Sequence, residues 1–136
     1  MRLHLGRASW NNLRKLGIQG LGIIEFDEAV GPIPKYVYSR HAKLIRRLLS
    51  DRAFSSKVSI LAKYACEARL ADNLIVVVEP FDSVGERIRT NYIVAQVSEE
   101  ADTRKVRAIL KALKRMLDGT ARIERESIER LLRNIL

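Results

Sequence analysis

Residues 22–39, GIIEFDEAVGPIPKYVYS, decide the fold. An apolar, β-branched run ends in the acidic group Glu25, Asp27 and Glu28. A Gly-Pro pair follows, and then a stretch with Tyr36 and Tyr38 on alternate positions. The pattern reads as strand, turn, strand, with strands expected over 20–27 and 35–38 and both tyrosines on one face. Gly31, Pro32 and Pro34 are assigned to the turn. Glycine accepts backbone angles that a side chain resists, and each proline restricts φ and removes a donor. A hairpin is the economical connection.

Working outward, Ser9 is placed to cap a helix over 10–16, with Trp10 and Leu13 on one side and Gly17 ending it. After the hairpin, Ser39 is placed to cap a helix over 40–50, where Leu44, Ile45, Leu48 and Leu49 form an apolar stripe. Residues 57–66 are ambiguous. Val58, Ile60, Ala62, Tyr64 and Cys66 alternate as in a strand, whereas Val58, Leu61, Ala62 and Ala65 also suit a helix. Strand is preferred, because a turn at 70–73 leads straight into Leu74-Ile75-Val76-Val77-Val78. That next strand, over 74–80, is apolar on both faces and is expected inside a sheet. A turn near Gly85 and a strand over 89–97 complete an antiparallel meander. A helix over 103–117 turns Val106, Ile109, Leu110, Leu113, Met116 and Leu117 to one side. A final helix from about Glu124 aligns Ile128, Leu131, Leu132, Ile135 and Leu136, with acids early and arginines late to suit the helix dipole.

The chain has 136 residues, 47% hydrophobic and 30% charged, which fits one globular α+β domain over 1–136. Its apolar runs are shorter than the ~20 residues a bilayer requires, and no apolar segment follows the N-terminal arginines as in a signal peptide. The single cysteine, Cys66, leaves no internal disulfide. A cytoplasmic protein is expected. Arginine outnumbers lysine, and Asn and Gln are few, which is compatible with a thermophile.

The chemistry-bearing residues argue against an enzyme. His4 and His41 lack zinc-ligand spacing, so no metal is expected. Cys66 lies in an apolar segment that suits a buried, inert thiol. Gly17, Gly20 and Gly22 enter a strand instead of linking a strand to a helix, so they read as turn and packing glycines and not as a phosphate loop. Glu25, Asp27 and Glu28 read as a solvated strand end. A catalytic set of Asp27, Glu28 and His41 would need convergence around a pocket. No cofactor is expected.

The net charge of +9 favours an anionic partner. Arg104, Arg107, Lys111 and Lys114 recur at steps of three and four, and Arg40, Lys43 and Arg47 suggest a second stripe. Such stripes contact phosphates, although solvated helix faces carry similar charge. Aromatic residues are too sparse to suggest a base-stacking platform.

The hairpin also carries a resemblance. Phe26, Asp27, Glu28, Gly31, Pro32, Tyr36 and Tyr38 resemble the first hairpin of longin and roadblock-type domains, small proteins of archaeal type among them. Element order extends the likeness over 19–117. The resemblance implies a profilin-like five-stranded antiparallel sheet packed by helices, with an additional C-terminal helix over 120–136. It further implies a non-enzymatic adaptor that forms a homodimer or binds a protein such as a small GTPase. The alternative is a nucleic-acid-binding protein that contacts phosphates through its Lys/Arg stripe.

Overall fold

The structure is a computed structural model, in which residues 6–27, 31–39, 67–70, 74–84, 88–118 and 124–135 are described. Helix α1 spans Arg7–Lys15, and strands β1 (Ile18–Asp27) and β2 (Gly31–Ser39) follow. Strands β3 (Glu67–Leu70), β4 (Leu74–Val84) and β5 (Ile88–Val97) precede helices α2 (Thr103–Leu117) and α3 (Arg125–Ile135). The five strands form one antiparallel sheet in the order β2-β1-β5-β4-β3. The first hairpin therefore lies beside the last strand, and β3, β4 and β5 form an antiparallel meander whose first strand is 67–70. The apolar run beginning at Leu74 belongs to an interior strand, as its two-faced hydrophobicity requires.

Two local expectations are corrected. Gly31, Pro32 and Pro34 are not turn residues: they lie inside β2, where Gly31 pairs with Asp27, Pro32 with Phe26 and Pro34 with Ile24. β2 is an edge strand, so a missing proline N–H on its outer side costs no ladder bond. A register shift between Ile23 and Ile24 leaves Lys35 as an extra, bulged residue. Residues 28–30 lie outside the described residues.

The second correction concerns α1. It starts before Ser9, with Gly6 as N-cap and no side-chain cap bond. Ser9 lies in the first turn and is buried, so it caps nothing. At the other end the assignment of Gly17 holds: Gly17 has φ +80°, and its N–H donates to the Arg14 carbonyl. The Ser39-capped helix over 40–50 and the ambiguous segment 57–66 lie outside the described residues. β3 begins just beyond that segment and includes Leu70, a position expected in the turn.

One sheet face forms the main core. Leu21, Ile23, Tyr36, Tyr38, Val77 and Ile93 meet Leu13 of α1, Val106, Leu110 and Leu113 of α2, and Ile128 and Leu132 of α3. α2 lies over β4, α1 packs on β1, and α3 packs on α2. The opposite face is also buried, through Ile24, Val37, Val76, Val78, Tyr92 and Val94. Burying one such side chain fully contributes about 1.5–3 kcal/mol. Met116, expected on the apolar side of α2, is 48% exposed. It sits at the margin of the arc formed by Val106, Leu110, Leu113 and Leu117, where the 100° step carries it past the sheet.

Tyr92 is buried, and its phenol is pushed above the ordinary value of 10.0, first by loss of solvent and second by the Asp82 carboxylate. The unfolded chain therefore releases this proton at a lower pH than the folded one. The stabilising contribution is complete below pH 10 and is lost as pH rises through the folded value. Urea midpoints measured from pH 8 to 11 are expected to fall at the alkaline end, and less steeply in Tyr92→Phe. Parallel curves for the two proteins would refute this assignment.

Candidate functional site: the outer face of α2 and the α1–β1 corner

The basic helix is built from its first turn upward. Asp102 caps α2 by accepting a hydrogen bond from the Arg104 N–H at 3.1 Å. Asp118 closes the helix and anchors it to the sheet, its carboxylate accepting from the Asp82 N–H at 3.1 Å. Between these ends α2 carries Arg104, Lys105, Arg107, Lys111, Lys114 and Arg115, and no carboxylate.

The expected stripe does not lie on one exposed face. Arg104 and Lys111 are exposed, but Arg107 and Lys114 are half-buried. Lys114 Nζ sits 3.5 Å from the Glu79 carboxylate, and Glu79 is 7% exposed on β4. Steps of three and four wind the stripe around the flank of the helix toward the sheet. The outward cations are Arg104, Lys105, Lys111 and Arg115, and among the described residues none of them has a carboxylate partner. Arg40, Lys43 and Arg47 lie outside the described residues.

Lys114 thus serves the fold. Lys114→Met is expected to cost about 1–3 kcal/mol, because a buried carboxylate loses its cation; the partial exposure of Lys114 places the figure below that of a fully buried pair. Adding Glu79→Gln should recover part of the loss, and Lys111→Met should be near neutral. Chemical denaturation of the three proteins reads all of this, and equal stability throughout would reject the pairing.

Of the acidic group, Glu25 is not a solvated strand-end residue. Glu25 is half-buried and pairs with Lys35 Nζ at 3.0 Å, while Lys35 also stands 5.9 Å from the Tyr36 ring centroid. The bulge at Lys35 brings this cation back toward β1. His4, Glu28, His41 and Cys66 lie outside the described residues. Among the described residues, no group of three or more His, Cys, Asp or Glu side chains could hold a metal. No described helix is long and apolar enough to cross a membrane.

Among the described residues, a polar corner lies where α1 runs into β1 and β5 runs toward α2. The Ser98 N–H donates to the Gly17 carbonyl at 2.9 Å, and the Ala101 N–H donates to the Ser98 carbonyl at 3.2 Å. These bonds hold the two chain reversals together. Beside them is a cleft of about 190 Å³, lined by Trp10, Arg14, Gln19, Tyr38 and Ser98 among others. A neighbouring cleft of about 310 Å³ shares Arg14, Gly17 and Ser98 and adds Lys15, Glu100, Asp102 and Lys105.

Gln19 reaches this cleft because of a second bulge. Ile18 pairs with Val97 and Gly20 with Gln96, so Gln19 is the extra residue of β1. The Gln96 Nε2 donates to the Gln19 Oε1 at 3.2 Å. Gln96 is 5% exposed, and its Oε1 has no hydrogen-bond partner. Leaving such an acceptor unsatisfied costs about 1–3 kcal/mol. Comparison with family models, curated proteins and solved structures finds no match to the chain. The corner therefore rests on its own geometry. Residue spacing gave no sign of it, since Trp10 and Arg14 read as ordinary helix positions and a bulge leaves no periodic signal.

Proposed function

We propose that the chain is a non-enzymatic protein-interaction module of the profilin-like, longin/roadblock type, working as a homodimer or as the partner of a small GTPase. The observation that carries this reading is the antiparallel order β2-β1-β5-β4-β3, which sets the hairpin 22–39 at one side of the sheet. Among the described residues β2 pairs only with β1, which leaves its outer edge for strand addition. The prolines at positions 32 and 34 limit such pairing to the second half of the strand. The test is solution mass by light scattering over a range of concentrations, with affinity capture from source lysate. A dimer, or capture of a protein identified as a small GTPase, supports the module. A strict monomer that retains no protein overturns it.

A second reading has its own observation. Arg104, Lys105, Lys111 and Arg115 form an exposed cationic face on a helix that contains no carboxylate. This suits phosphate contact without sequence reading. Mixed-sequence duplex should then bind with a log–log salt slope near −0.9 for each phosphate neutralised. Lys111→Glu with Arg115→Glu should flatten that slope. No retention at low salt would end the nucleic-acid reading.

A further inference from the structure

We propose that the outward face of α2 and the α1–β1 corner together bind one single strand of nucleic acid, with a base stacked at Trp10. This deepens the phosphate-contact reading of α2 and rests on it. Three of the outward cations lie in line. Lys111 is seven residues and Arg115 eleven residues beyond Arg104, so steps of 100° leave both within about 20° of its direction. At 1.5 Å per residue the line runs about 16 Å along the helix, a track for a few phosphates of an extended strand. Its Arg104 end is the first turn of α2, where Lys105 enters the cleft of about 310 Å³. Among the described residues lining that cleft, Arg14 and Lys15 of α1 add two exposed cations, against the carboxylates of Glu100 and Asp102. Asp102 is already engaged as the cap of α2. The cationic track therefore continues from α2 onto α1.

The second, independent observation is the ring at the end of that track. The two clefts share Arg14, Gly17 and Ser98, and Trp10 forms a wall of the smaller one, about 190 Å³. Trp10 is half-buried and packs against the core while lining the cleft, so the ring is held in place. The Arg14 guanidinium stands 5.9 Å from its centroid. Aromatic rings and arginine planes are the surfaces on which unpaired bases stack, and this cleft offers both. Gln19 and Ser98 line it too and supply polar groups for a base edge or a ribose hydroxyl. The volume is below the ~300 Å³ at which pockets for drug-sized ligands begin, and so suits a single base. A base inside a duplex presents no free ring face, which makes the occupant a single strand. Sparse aromatic residues hide this platform in the sequence; folding creates it by setting α1 beside the first turn of a basic helix.

Trp10 is the only tryptophan of the chain, so its fluorescence reports on this corner directly. Titration of the full chain at low salt with a short oligouridylate is expected to quench it saturably. An abasic ribose-phosphate strand of equal length should bind more weakly and leave the emission unchanged, and mixed-sequence duplex should bind without quenching. By anisotropy of a labelled strand, Trp10→Leu and Arg14→Met should each weaken the oligouridylate roughly tenfold. Trp10→Leu should leave duplex binding unchanged, and Trp10→Phe should restore part of the lost affinity. Arg14 is exposed, so Arg14→Met should keep the far-ultraviolet dichroism of the parent. Lys111→Glu with Arg115→Glu should weaken single strand and duplex alike. Oligodeoxyuridylate, which differs only in the 2′-hydroxyl, distinguishes the sources: tighter binding of the ribo strand assigns RNA, and equal binding assigns recognition to base and phosphate alone. Oligouridylate that binds without quenching, or binds Trp10→Leu as tightly as the parent, overturns the corner and leaves the phosphate reading of α2 standing. Equal quenching by the abasic strand overturns the stacking in the same way. No binding of single strand or duplex at low salt overturns both.

Discussion

Gly17→Ala is expected to destabilise the fold by about 2–4 kcal/mol, through backbone strain and overpacking together. At φ +80° a side chain is already unfavourable. A Cβ built there would lie 2.6 Å from the Ala101 Cβ and 2.8 Å from the Ser98 Oγ. Neither contact can stand, and only the serine hydroxyl can move aside readily. The two contributions separate experimentally. In Gly17→Ala with Ala101→Gly the Cβ–Cβ clash is gone, and the cost should fall toward the ~1 kcal/mol of the left-handed backbone, with the Cα of residue 101 still 3.0 Å from the added Cβ. Urea denaturation of the single and double variants measures the difference. A Gly17→Ala protein as stable as the parent would mean that the corner is not built as described.

Leu110→Ala should cost about 3–5 kcal/mol, the range for emptying a well-packed leucine site. Leu110 is fully buried between α2 and the sheet, among Val106, Leu113 and Leu117. Met116→Ala, on the same helix and once expected on the same apolar side, should cost far less because that side chain is half in solvent. Thermal unfolding of the pair therefore tests the rotation of α2. Similar losses in both variants would place Met116 in the core and refute the burial pattern.

Where a segment's structure depends on its own periodicity, the sequence was a sufficient guide. The helix over 103–117 coincides with α2 to the residue, because a 3.6-residue apolar period and the Asp118 stop agree there. The interior strand beginning at Leu74 was legible from its unbroken apolar run, and Tyr36 and Tyr38 share the core face as their spacing required. Errors arose where two local rules competed. Pro32 and Pro34 signalled a turn, yet an edge strand tolerates them. Ser9 signalled a cap, yet the helix began a turn earlier.

The candidate sites were much less legible, because they depend on residues far apart in the chain. Lys114 finds Glu79 across 35 positions, which converts an expected phosphate contact into a fold contact. Gln19 meets Gln96 across 77 positions, and only because a bulge turns one residue of β1 out of register. Local chemistry by itself determined the α+β class, the helix over 103–117, the strands around 20–27, 74–80 and 89–97 and the basic character of α2. Tertiary structure decided the order of strands, which cations face solvent and where a cleft opens. The physical reason is range: propensity and periodicity act within a few residues, whereas burial and pairing are set by whichever distant segment packs alongside.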